Sequence, residues 1–105
     1  MAGDEAIELA ARAWEDEAPG IRAQVAPAAG TRYAVVEYEP GAQRPDWCRE
    51  GHHGFVLDGS LEFEFADDGE PLRLRAGQAF VLAPGRGHRG RNTAHGVTRF
   101  FLVDD

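Results

Sequence analysis

Side chains that can coordinate a metal ion occur in two short stretches of this sequence. The first stretch contains Asp46, Cys48 and His52, and the second contains His88. A carboxylate, a thiolate and two imidazoles form a donor set that suits a divalent ion, above all zinc, if the fold brings them together. Spacing along the chain does not show that it does, since a single His or Cys is more often an ordinary packed residue.

Charged side chains near these residues suggest what a site there could bind. Arg86, Arg89 and Arg91 surround His88, and guanidinium groups pair well with carboxylates. The cluster predicts a rim that admits a small anionic substrate, the alternative being that the arginines pair with the protein's own carboxylates. Glu50 could act as a general base if it faces the site, and is otherwise a solvated loop carboxylate.

The composition limits the partners and mechanisms open to the chain. Asp and Glu number 18 against 11 basic residues, for a formal net charge of -7. This field repels phosphate groups, so nucleic acid and anionic membranes are not expected partners. Every basic residue is Arg, which excludes a lysine Schiff base or lysine general base. The single cysteine, the acidic N-terminal residues and the lack of a long apolar run predict a cytoplasmic protein.

Alternating apolar and polar residues predict β-strands over most of the chain. The alternation runs through 33–38 and 55–65, where Asp58-Gly59 suits the turn of a tight hairpin. It returns in 71–75, 78–83 and 97–103, while the Gly-rich segment 84–92 is expected to be a loop. About seven short strands separated by Gly turns are typical of an all-β sandwich or closed barrel.

The first 30 residues have a different pattern. Ile7, Ala10 or Ala11, and Trp14 follow helical spacing, which predicts a short amphipathic helix over 4–18. A Pro- and Ala-rich connector is expected over 19–30. Because 105 residues suit one domain, the helix and connector (1–30) and the barrel (31–105) are expected to form a single unit.

The order of the turns resembles the cupin superfamily over roughly residues 33–103. The second cupin motif reads Gly, five residues, Pro-x-Gly, two residues, His, three residues, Asn. Gly77, Gly85, His88 and Asn92 reproduce this spacing, with Ala83 in place of the motif Pro. The resemblance therefore identifies His88 as a member of the family's ligand set.

The first cupin motif reads His-x-His, three or four residues, Glu, six residues, Gly, and its two His and its Glu are metal ligands in the family. Counting back from Gly59 puts His52 at the Glu position and Cys48 and Asp46 at the two His positions. The resemblance thus implies a site of Asp46, Cys48, His52 and His88 with substituted ligands. Four ligands would close the site, whereas loss of Asp46 would leave an open catalytic position. Replacement of three motif ligands also fits a metal-free descendant.

The resemblance implies a double-stranded β-helix, the cupin or jelly-roll barrel, often assembled as a homodimer. Within it, strand parity predicts that His52 faces the pocket and His53 faces away. The implied function is a metal-dependent dioxygenase, isomerase or lyase acting on a small anionic organic molecule. Zinc is favoured, with iron, nickel and copper open. A non-catalytic metal- or ligand-sensing module and a metal-free dimerisation barrel remain alternatives, so whether the protein is an enzyme stays open.

Overall fold

The computed structural model describes residues 3–104, which form two antiparallel β-sheets. The strands within this range are β1 (Glu15–Ala18), β2 (Ile21–Ala28), β3 (Thr31–Tyr38), β4 (His52–Asp58), β5 (Ser60–Phe65), β6 (Leu72–Arg75), β7 (Ala79–Leu82), β8 (His88–Asn92) and β9 (Thr98–Asp104). The larger sheet has the order β1-β2-β3-β9-β4-β7, and the smaller has the order β6-β5-β8.

Apolar side chains from both sheets pack together between them. Val56 and Phe100 of the larger sheet and Leu61 and Phe63 of the smaller are at most 4% exposed. The ring of Phe63 packs against Phe80 with centroids 5.4 Å apart, which joins the two sheets. Burial of each such side chain contributes about 1.5–3 kcal/mol. The predicted all-β jelly-roll class is therefore confirmed.

Several strands lie where the alternating pattern predicts them. The pattern over 33–38 corresponds to β3, and the pattern over 55–65 corresponds to β4 and β5. Gly59 makes the turn between these two strands with a φ of +87°, in the region that favours glycine. A Cβ there would lie 2.3 Å from Oγ1 of Thr98, so the close approach of the chains also requires glycine.

The N-terminal region contains much less helix than predicted. The short helix is a 3-10 turn over Leu9–Ala11, and Glu15–Ala18, predicted to be helical, is strand β1. The expected connector contains β2, which pairs with β3 along its whole length. Pairing with a neighbouring strand outweighs the low strand propensity of its alanines. Within the described range, no helix has the length and apolar character to cross a membrane.

The Gly-rich segment expected to be a loop contains strand β8. It pairs with β5 from Leu61↔Asn92 to Phe65↔His88. A Cβ at Gly90 would lie 3.0 Å from the ring of Phe63, so glycine allows β8 to pass close to the core. The second motif His therefore lies on a paired strand.

Candidate metal centre

His52 lies on an interior strand of the larger sheet. Its backbone is in register with Asp104 on β9 and with Leu82 on β7. The residue is 8% exposed, whereas His53 is on the exposed face of β4. The predicted orientation of these two histidines is confirmed.

Cys48 reaches the same region from the loop 39–51, which connects β3 to β4. Its backbone N–H donates to the carbonyl of His88 at 2.8 Å, and the N–H of His88 donates back to the carbonyl of Cys48 at 2.9 Å. His88 begins β8 and is 3% exposed. Two backbone hydrogen bonds thus fix Cys48 beside His88.

The side chains of these three residues converge. Sγ of Cys48 lies 3.5 Å from Nε2 of His52, and the rings of His52 and His88 have centroids 4.9 Å apart. One ligand atom from each residue lies within 4.8 Å of the other two. Usual zinc bond lengths and a tetrahedral angle require sulfur and nitrogen ligands to be about 3.6 Å apart. The donor set and its spacing therefore fit a divalent ion such as zinc.

Asp104 contacts the nitrogen of His52 that points away from Cys48. Its Oδ1 lies 2.7 Å from Nδ1 of His52, within ion-pair distance, although the N–H is not well enough aligned for a hydrogen bond. Burial alone would raise the pKa of Asp104, but His52 and Arg32 outweigh it and hold the pKa below its ordinary value. A carboxylate behind a ligating His fixes its ring orientation and tautomer. Sequence reasoning missed Asp104, which is placed here by the register of β4 and β9.

The electrostatic environment of His88 favours the neutral imidazole. Burial lowers the pKa of His88, and the proximity of His52 lowers it further, while a backbone interaction with Arg86 opposes both. Its Nδ1 is buried without an aligned hydrogen-bond partner in the described chain. Metal ligation uses the neutral ring, so the site keeps His88 in its ligand form.

Asp46 is not part of the converging group. The family motif implied that Asp46 is a fourth ligand beside Cys48, which requires both side chains on one face of an extended strand, but the chain bends at Pro45 and Asp46. Alternating sides apply only to extended strand, so the bend turns Asp46 away from that register. Asp46 is exposed at the wall of the cavity described next.

A cavity of about 660 Å³ opens beside the cluster. Its walls include Cys48, His52 and His88 together with the loop residue Glu50 and strand β1. The volume lies within the range typical of small-molecule sites. The three converging side chains are therefore accessible to a small molecule.

Each arginine of the predicted rim forms an ion pair within the protein, namely Arg86 with Asp67, Arg89 with Glu64 and Arg91 with Glu62. Arg89 lines the cavity and its guanidinium lies 4.1 Å from the ring centre of Trp47. Arg86 and Arg91 are not among the described residues that line it. The structure thus brings one of the three arginines to the site.

A jelly-roll barrel with a His-containing cluster at an open cavity defines the class of this protein. The family model for the cupin domain matches residues 34–104, and the chain belongs to the cupin family. A comparison with curated proteins gives no match.

Solved structures share this fold. KdgF from Halomonas sp. is 25% identical with a TM-score of 0.73, the match covering 98% of this chain and 94% of that one. The polyketide cyclase RemF from Streptomyces resistomycificus is 17% identical with a TM-score of 0.77, covering 97% and 79%. Bacillus subtilis oxalate decarboxylase, described with Mn(II) centres, is 18% identical with a TM-score of 0.77, covering 94% and 28%. At these identities, RemF and the decarboxylase support the fold alone.

Proposed function

We propose that this cupin binds one divalent ion, with zinc favoured, through Cys48, His52 and His88, and that it acts on a small anionic organic molecule. The observation that carries the proposal is the convergence of three ligand atoms within 4.8 Å at the wall of a cavity. His52 and His88 are buried and Cys48 is partly buried, so these ligand atoms meet in one place with limited access for water.

The number of ligands favours catalysis over a purely structural ion. Structural zinc sites usually have four protein ligands, whereas catalytic ones have three and an open position. With Asp46 outside the group, the cluster has the second form. A bound ion would supply Lewis acidity to a substrate group in the cavity.

The residues of the chain have separate roles in this proposal. Asp104 orients His52, and the cavity admits the substrate. Tyr38 accepts a hydrogen bond from Nε of Arg44 at 3.1 Å, and burial raises its pKa, so its phenol stays protonated and can position a polar group. Glu50 lines the cavity, where its carboxylate can take up a proton. Arg89, the rim arginine that lines the cavity, would meet the anion if it exchanged Glu64 for it.

The reaction class would follow from the identity of the bound metal. Zinc has no redox chemistry, so zinc would favour isomerase or lyase chemistry, whereas iron would favour a dioxygenase. The same fold occurs in a polyketide cyclase and an oxalate decarboxylase, so the barrel is compatible with an enzyme. Tightly held zinc without turnover would instead favour the sensing module.

Elemental analysis of the purified protein tests the site. We expect one ion per chain in the wild type, loss of the ion in Cys48→Ala and His52→Ala, and retention in the control Asp46→Ala. Equal metal content in the wild type and in both ligand variants would refute the assignment. An anomalous-scattering peak between the three side chains would identify the element.

We also propose, from the family resemblance, that the protein is a cytoplasmic homodimer. Phe55, Leu57 and Val81 are 39%, 47% and 65% exposed on the outer face of the larger sheet, which offers an apolar surface. Sedimentation equilibrium measures the association directly, and a monomer at micromolar concentration would contradict it.

A further inference from the structure

Two arginines in the cavity share a single carboxylate. Oε2 of Glu17 lies 2.7 Å from Nη2 of Arg32, and Oε1 of Glu17 lies 2.6 Å from Nη2 of Arg44. All three residues line the cavity. Each oxygen of one carboxylate meets one guanidinium, which is how paired arginines bind a small carboxylate.

The barrel holds both arginines independently of Glu17. Nη1 of Arg32 donates to Oδ2 of Asp104 at 3.0 Å, and Nε of Arg44 donates to the hydroxyl of Tyr38 at 3.1 Å. These contacts fix the two guanidinium groups from the side of the barrel. The pair therefore keeps its arrangement when the carboxylate that it shares is exchanged for another.

Glu17, by contrast, lies on a weakly held strand. Strand β1 has four residues at the edge of the larger sheet, and its first two residues, Glu15 and Asp16, are exposed. Its register with β2 shifts between Asp16 and Ala18, so Glu17 is the extra residue of a bulge. Bulges redirect side chains and are common next to functional sites. Short exposed edge segments open at low cost in free energy.

The balance of charge around the cavity depends on the position of β1. Among the described lining residues, carboxylates outnumber guanidinium groups six to three, and half of the carboxylates belong to β1. Withdrawal of β1 would leave equal numbers. The six carboxylates are Glu15, Asp16, Glu17, Asp46, Glu50 and Asp104, and the guanidinium groups are Arg32, Arg44 and Arg89.

We propose that Arg32 and Arg44 form a binding site for the carboxylate group of a small external molecule, and that Glu17 occupies this site as an internal competitor. An incoming carboxylate displaces Glu17 and releases β1 from the cavity. The inference rests on the proposed function for the role of the cavity, and it names the group by which the substrate is held. It requires no ion, since neither arginine is a metal ligand.

Titration of acetate into chelator-treated, metal-free protein tests this site. The apparent affinity equals the intrinsic affinity multiplied by the fraction of molecules in which the site is free, so binding would be about tenfold weaker if Glu17 filled the site in about 90% of molecules. We therefore expect Glu17→Gln to bind acetate about tenfold more tightly than the wild type. Glu15→Gln, on the same strand, removes one charge from the cavity wall but not the occupant of the arginine pair, so its gain in affinity should be much smaller. Addition of Arg44→Gln to Glu17→Gln should remove the gain, and neutral acetamide should bind to none of them.

Equal acetate affinity in Glu17→Gln and the wild type would overturn the inference. The role of Glu17 would then be to join β1 to Arg32 and Arg44. Hydrogen exchange in the wild type gives a second readout that needs no folded variant. Saturating acetate should accelerate amide exchange in 15–18, and unchanged exchange there would also overturn it. A protein that binds acetate in this way but never holds metal would refute the proposed function alone, whereas a metal-loaded protein without the acetate effect would refute only this inference.

Discussion

Substitution of Asp104 tests whether a carboxylate behind His52 strengthens metal binding. Its Oδ1 is 2.7 Å from Nδ1 of His52, and its side chain is only 13% exposed, so little water can replace it. Loss of such a partner typically weakens metal affinity 10- to 100-fold. Asp104→Asn keeps a neutral oxygen and should weaken zinc binding about tenfold, or ~1.4 kcal/mol. Asp104→Ala keeps no acceptor and should weaken it about a hundredfold, or ~2.7 kcal/mol.

Competition with a chromophoric zinc chelator at neutral pH measures these affinities. Asp58→Asn is the matched control, since Asp58 is an exposed carboxylate on the same strand as His52. Arg32→Gln separates the two contacts of Asp104, because it removes the Arg32–Asp104 ion pair and leaves His52 facing the carboxylate. It should weaken zinc binding less than Asp104→Ala does. If Asp104→Ala bound zinc as tightly as the wild type, the role assigned to Asp104 would be wrong.

Two further substitutions test the packing of β4 and the charge pairing outside the site. Gly54→Ala would put a Cβ 2.2 Å from the ring of Phe80, so we expect a loss of about 1–3 kcal/mol in the free energy of unfolding, and unchanged denaturant stability would contradict this close approach. Arg86 lowers the pKa of Asp67 to about 2 from 3.8, so Arg86→Gln should return it toward 3.8 in an NMR titration. The pKa of Asp67 is lower in the folded chain than in the unfolded chain. The stability from this pair is therefore present above pH 3.8 and is lost as the pH falls toward about 2. The variant should have a weaker pH dependence, since the hydrogen bond from the Gly69 N–H to Asp67 remains, and an unmoved Asp67 titration would rule out the pairing.

The strands that were predicted correctly are those whose pattern is local. In 55–65 the alternation and the Asp58-Gly59 turn both act over a few residues, so the sequence contains the whole signal. Strand β2 was missed because its Ala and Pro residues are poor strand formers. The alternation of buried Ile21 and Ala23 with Arg22 and Gln24 was nevertheless present as a signal.

The candidate site could be predicted only where a motif fixed the spacing. A preserved motif identified His88, and the spacing from Gly59 identified His52 and Cys48. The structure brings these three side chains together. Counting back from Gly59 as far as Asp46 assumed a regular strand. It ignored Pro45, whose fixed φ and effect on its neighbours favour a bend. Asp104 is 52 residues from His52 in the sequence, and only the register of two strands makes them neighbours.

The three converging residues come from three separate parts of the architecture. His52 belongs to the larger sheet, His88 to the smaller sheet, and Cys48 to the loop between β3 and β4. An ion held by all three would cross-link the two sheets and the loop. Disulfides form such cross-links in other proteins, but this chain has a single cysteine. Because the three ligands come together only in the folded chain, the ion would bind that state and stabilise it by mass action. Metal supply would then set the thermal stability of the region where the two sheets and the loop meet, so the folded lifetime of the protein would depend on the metal available to it.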